Sequence, residues 1–211
     1  MSIVEANGGE VGYDFSPETE WFASSFKLRR LSRPYHVSVH SDMIGDAELL
    51  LLSGIPTMRQ VEIESKSVSD EGIRHIGTME NLSNLKLDCP NVSDVGMEYL
   101  SNLPKLRLIE IRIGTAASCS FLKSCPKDTL RFLSLHGKHI QGSCLNDIKE
   151  FNHLEDLDLS DTGISDEDVD SICSMHPLIN IDVRKTRVTK QGAVKLKTAF
   201  PKAYIRWGGE E

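Results

Sequence analysis

No run of the chain approaches 18 apolar residues, and the longest candidate, Ala47 to Ile55, is short enough to be a buried helix, so a membrane-spanning segment is not expected. The first ten residues, MSIVEANGGE, lack the basic and apolar regions of a secretory signal. Positive charge is scarce: 24 Lys and Arg stand against 31 Asp and Glu, a formal net charge of −7. Affinity for phosphate backbones comes from clustered Lys and Arg, so nucleic acid is not an expected partner. The five cysteines are Cys89, Cys119, Cys125, Cys144 and Cys173, an odd number with no closely spaced flanking pairs of the kind a disulfide cap needs. A reducing, cytoplasmic setting follows. No phosphate-binding loop or dinucleotide glycine pattern occurs, because Gly8-Gly9 lacks a preceding strand and a following helix in the right order.

What the chain does have is a period. Leu154, Leu157 and Leu159 mark the form apolar-x-x-apolar-x-apolar, and the mark returns at Met58/Val61/Ile63, Leu82/Leu85/Leu87, Leu106/Ile109/Ile111, Leu130/Leu133/Leu135 and Leu178/Ile181/Val183. Extending the frame outward adds Val37/Val39 and Ile205/Trp207, so eight marks fall in one register with a period of 24 residues. A period of 20–29 residues with this apolar spacing is the mark of a leucine-rich-repeat solenoid. The expected fold is therefore α/β: a curved right-handed coil with a parallel β-sheet on its concave side and short helices on its convex side.

Within the repeat, position 11 is apolar, position 12 is often Ser or Thr (Ser69, Ser93, Ser165, Thr189) and position 13 is often Asp (Asp46, Asp70, Asp94, Asp166). This reads as a helix start, with the hydroxyl as N-cap and the acid facing the positive helix end. Calcium is the competing reading of an Asp column, but one Asp per turn lacks the crowding a calcium loop needs. Positions 16 and 19 are apolar and share one helix face. Two repeats depart: Ala117-Ser118 and Gln141-Gly142 replace Ser-Asp, which predicts less regular convex segments there. Cys125 and Cys173, equivalent in their repeats, read as small buried apolar residues.

Residues 1–33 are expected to form an N-terminal cap: a glycine turn, a short strand, and a helix from Ser16-Pro17 to about Leu31 whose Trp21, Phe22 and Phe26 cover the first repeat. Residues 34–207 form the solenoid and 208–211 a tail.

The copies VEIESKSVSDEGIRHI, LKLDCPNVSDVGMEYL and LDLSDTGISDEDVDSI resemble the 24-residue bacterial leucine-rich-repeat type related to GALA-type repeats, and Gly8-Gly9-x-Val11-x-Tyr13-Asp14 looks like the leader of such proteins. The resemblance covers nearly the whole chain and implies a protein-binding scaffold. The F-box of GALA-type effectors is absent from residues 1–33, so that activity is not carried over.

Positions 3, 5 and 7 of each strand point away from the core. Position 3 reads His36, Gln60, Asn84, Leu108, Phe132, Asp156, Asn180, Tyr204. Leu108 and Phe132 are apolar neighbours in the middle, beside Arg112 and His136 at position 7, which is the composition of a binding hot spot; scattered exposed apolar residues are also ordinary surface. Asp158 faces Asp182 with Asp156 close by, an unfavourable like-charge pairing that a basic partner, a cation, or Arg184 and Arg206 would neutralise. Only His36, His40 and His136 face the concave side, with the first two strands away from the third, so no metal triad forms. Cys119 and Cys144 have no histidine and orienting acid near them. The sequence thus predicts a non-enzymatic, cofactor-free monomer that binds a protein partner through Leu108, Phe132, Arg112, His136 and Tyr204. The alternative is a structural or self-associating solenoid, and a metal enzyme built on Asp156, Asp158 and Asp182 is the weakest reading.

Overall fold

The computed structural model describes residues 10–13, 34–112, 114 and 118–208. The expected cap helix and the end of the tail lie outside the described residues. Nine strands form one open sheet in chain order: β1 (Glu10–Tyr13), β2 (Pro34–His40), β3 (Gln60–Glu64), β4 (Asn84–Asp88), β5 (Leu108–Arg112), β6 (Phe132–His136), β7 (Asp156–Asp158), β8 (Asn180–Val183) and β9 (Tyr204–Trp207). β1 runs antiparallel to β2, and all later pairs are parallel.

Parallel neighbours need a crossover, and among the described residues every crossover but the one between β5 and β6 carries a short α-helix. These are α1 (Asp46–Ser53), α2 (Asp70–Ile76), α3 (Asp94–Glu98), α4 (Leu145–Ile148), α5 (Val169–Cys173) and α6 (Lys190–Ala199). Leu133 and Leu135 from β6 and Leu145 and Ile148 from α4 enter one continuous buried core, and the other repeats contribute in the same way. The helices therefore cover one face of the sheet and leave the other open. Fully burying a leucine contributes roughly 1.5–3 kcal/mol, and nearly every repeat contributes several.

The Ser-Asp pair does more than start helices. Ser69, Ser93 and Thr189 do cap, each accepting a hydrogen bond from the backbone N–H two residues on. The aspartates, however, reach into the next repeat. Asp46 accepts from Ser69 N at 2.9 Å and Ser69 Oγ at 2.6 Å, and Asp70 from Ser93 N at 2.7 Å and Oγ at 2.6 Å. Asp94 does the same for Ser118 and Asp166 for Thr189. Glycine two residues into α2, α3 and α6 makes room: a Cβ on Gly72 would lie 2.5 Å from Asp46 Oδ1, one on Gly96 would lie 2.9 Å from the Asp70 Cα, and one on Gly192 would overlap Asp166 Oδ1.

Two junctions lack this link. Between β6 and β7 the parts are exchanged: the gap is at Gly142 in the earlier repeat, and Asp168 of the later repeat fills it while accepting from Ser165 N at 2.8 Å. Between β5 and β6 no such carboxylate is found among the described residues, a 3₁₀ turn spans Ser120–Lys123, and Cys119 is joined to Cys144. The odd cysteine count and the lack of closely spaced flanking pairs do not mark these two as partners. The two cysteines are 25 residues apart, one residue more than a period, which brings them onto neighbouring turns of the coil. Cys89, Cys125 and Cys173 are free, with Cys125 buried as expected and Cys173 partly exposed.

Candidate functional site

The open face of the sheet is built by ladders in register, so a residue's place in its strand fixes its neighbours. Leu108 pairs with Phe132, and Arg112 with His136. Both apolar side chains are half-buried, each shielding the other, so the patch is shallow.

Arg112 and His136 are engaged within the chain. Arg112 Nε lies 3.0 Å from Asp88 Oδ2, and its far nitrogen lies 3.6 Å from Asp161 Oδ2. Lys138 Nζ is 2.9 Å from the other Asp161 oxygen, and that hydrogen bond, with the nearby Arg112, holds the Asp161 carboxyl below the usual carboxylate range. His136 Nδ1 is 2.9 Å from the Ser160 carbonyl; a carbonyl only accepts, so Nδ1 donates. Its Nε2 is 2.9 Å from Ser134 Oγ. These two residues frame the apolar pair while already bonded to their own sheet.

Tyr204 is not brought to the patch. It stands on β9, three rungs beyond Phe132 across Asp156 and Asn180, and is 64% exposed with Arg206 over its ring at 5.8 Å.

The acidic cluster is neutralised from within. Asp158 does face Asp182, but Asp182 is only 2% exposed and is gripped by Arg184 Nη2 at 2.7 Å and Arg206 Nε at 3.3 Å. Burial pushes the Asp182 carboxyl up, yet the Arg184 hydrogen bonds and the two guanidiniums outweigh it and leave it below the ordinary range. Asp158 accepts from Ser160 N at 2.8 Å, and Asp156 from the Asn180 amide. Position 5 is thus partly floor, since Ser38 and Ser134 are also buried. Among the described residues no group of His, Cys, Asp and Glu could hold a metal ion. Burial pushes the Cys89 and Cys125 thiols up to about 12, which leaves them poor nucleophiles.

The sequence reading overlooked position 2. Arg59, Arg107 and Arg131 stand there and line a cleft of about 560 Å³ along the strand starts. The signal lay in the position-2 column, which reads Tyr35, Arg59, Ser83, Arg107, Arg131, Glu155, Ile179, Ala203.

A leucine-rich-repeat family model matches residues 152–173. No curated protein matches the chain. Solved structures do: internalin C2 of Listeria monocytogenes, 14% identical, with a TM-score of 0.57 over 82% of this chain and 80% of that one. An internalin F of the same organism is 15% identical, with a TM-score of 0.51 over 77% of this chain and 58% of that one. A chain in the Rad7 and Elc1 complex of yeast is 19% identical, with a TM-score of 0.57 over 77% of this chain and 44% of that one. Among the described residues no helix is long and apolar enough to cross a membrane. With parallel strands in chain order, a short helical segment in most crossovers and one shared core, this chain has the fold of a leucine-rich-repeat solenoid.

Proposed function

We propose that the chain is a non-enzymatic recognition module that binds a protein partner on the open face of its sheet, centred on Leu108 and Phe132. The observation that carries this is their direct pairing in the middle of a face whose other position-3 residues are polar except Tyr204. The family's architecture supports it, and one of the similar folds is found in a complex of two proteins. The reading takes the protein as a cytoplasmic monomer of bacterial type, with the 24-residue repeat and leader described above, and without nucleic acid or cofactor. Arg112 and His136 hold the patch in shape, and Tyr204 touches only a partner long enough to cross to β9.

The test is an affinity capture from the native extract with wild type beside Leu108→Ala/Phe132→Ala, each checked by circular dichroism. A partner kept by wild type and lost by the folded variant supports the reading. The same partners on both would move attention to the helical side, where Leu50, Leu51 and Val95 are exposed; a mass that rises with concentration in both proteins would favour a self-associating scaffold.

A further inference from the structure

We infer that the arginine-lined cleft beside this patch is a carboxylate-binding site, and that it takes the Asp or Glu side chains of an acidic peptide segment. The cleft lies along the starts of β3 to β6. Arg59, Lys105, Arg107 and Arg131 bring four cationic side chains to it, and Asn84 and Thr129 stand among them.

Elsewhere among the described residues arginines are used. Arg74 pairs with Glu71, Arg112 with Asp88, Arg184 and Arg206 with Asp182, and Arg187 donates to the Gly163 carbonyl. In the cleft Arg131 pairs with Glu155, and Lys105 is held by the neutral Asn81 amide oxygen at 2.5 Å. Arg59 and Arg107 make no side-chain hydrogen bond or ion pair among the described residues; only their backbones are bonded. They stand two strands apart, about 10 Å by strand spacing, within reach of each other's field. An unpaired pair of guanidiniums is an uncompensated repulsion that a bound anion relieves.

The chemistry selects the anion. The backbone amides along this rim are consumed, since Ser83 and Asn84 donate to the Arg59 carbonyl, and Arg131 and Phe132 to that of Arg107. Recognition therefore falls to side chains, and the forked guanidinium matches a carboxylate in two parallel hydrogen bonds. Four cations set against Asp128 in the cleft and Glu155 on Arg131 leave an excess of two positive charges. That suits two single carboxylates, and the Asp128 wall disfavours a doubly charged phosphate. The cleft adjoins the patch through the ladder, because Asn84, which lines it, pairs with Leu108. Resting on the function proposed above, the partner segment is an apolar anchor with acidic residues beside it.

The experiment follows the arginine side-chain Nε–H signals by NMR as the full chain is titrated with an acetylated hexaglutamate amide and, separately, with inorganic phosphate. The expected result is saturable shifts of Arg59 and Arg107 with the peptide, weakened by added salt, while Arg74 and Arg184 stay still. Arg59→Ala/Arg107→Ala should keep the amide spectrum and weaken the association at least about tenfold, near 1.4 kcal/mol. Leu108→Ala/Phe132→Ala should leave the hexaglutamate shifts intact, so failure of the apolar patch and failure of the cleft are told apart. Absent shifts, shifts spread over every arginine, or tighter response to phosphate than to the peptide would overturn the proposal.

Discussion

Between β3 and β4 two repeats are joined by a carboxyl group, that of Asp70, held on the N–H and hydroxyl of Ser93 over the gap at Gly96. Between β5 and β6 no such carboxylate is found among the described residues, and the join is the Cys119–Cys144 bond. The two junctions sit at equivalent places two turns apart in one coil, with the Asp94–Ser118 link between them. Stacked repeats are stable roughly as the sum of their own terms and their nearest-neighbour interfaces, so each interface needs a link of its own. What differs is the condition that opens it: acid for the carboxylate, a reductant for the disulfide. The disulfide also lies in the two repeats that present Leu108 and Phe132, so the junction with a covalent link is the one beneath the proposed binding patch.

The largest expected effect breaks the comparison at its covalent side. Closing a loop of this length stabilises a protein by about 3 kcal/mol in the chain-entropy account. A dithiol reductant should therefore lower the urea midpoint of wild type, and Cys119→Ala/Cys144→Ala should start at the lower midpoint and ignore the reductant. The β5–β6 ladder and the shared core still join the two halves after reduction, so unfolding should stay a single transition at the lower midpoint. Superimposable urea curves with and without reductant would remove the disulfide from the stability argument. Counting thiols on denatured protein prepared without reductant gives the complementary reading: three of five cysteines react if the bond is present, and all five if the protein comes from a reducing compartment that keeps it open.

A smaller effect sharpens the comparison at the exchanged junction. Asp168→Gly removes the carboxylate that Ser165 uses, and Gly142→Asp places a second acid against Asp168. Each single change should cost about 1–3 kcal/mol, the range for a lost charged hydrogen bond or an overfilled gap. The double variant restores Asp before and Gly after, the arrangement at the β3–β4 junction, and should recover most of the loss. A double-mutant cycle read by urea denaturation measures this directly. Strict additivity would mean that the two positions do not share one socket.

Much of this was legible in the residues, and the misses have physical reasons. The apolar marks placed β2 to β9 and their register because a one-residue slip would turn every core side chain to the open face. Ser69, Ser93 and Thr189 were legible as caps because capping is local. The partner of Asp70 was not, since its hydroxyl and N–H lie 23 residues away and only the coil's rise brings them over the helix start. The Cys119–Cys144 pair was hidden by the same cause, with its spacing shifted one residue from the period and no local motif to mark it. At the candidate site, register alone made Leu108 and Phe132 neighbours, whereas the burial of Asp182 beneath Arg184 and Arg206 depends on how long side chains fold back across rungs.

The smallest effect separates the two kinds of junction by pH. Hydrogen bonds from the Thr189 hydroxyl and N–H hold the Asp166 carboxyl below its ordinary range, and Asp182 is held below it by its arginines against the opposing effect of burial. A carboxyl depressed in the folded state adds stability that is complete above its unfolded value, about 3.9, and that is lost as pH falls through the folded value. Acid should thus loosen the β7–β8–β9 end while the disulfide junction, which has no carboxylate in its link, is indifferent. Amide hydrogen exchange at pH 7 and pH 3, corrected for the intrinsic rate, would show it: protection at Thr189, whose N–H is bonded to Asp166 at 2.8 Å, should fall more than protection at Cys144, whose N–H is bonded to the Gln141 carbonyl at 3.0 Å. Equal loss at both would mean that acid acts on the molecule as a whole, through its net charge, and that the chemistry of the individual link does not decide which junction opens first.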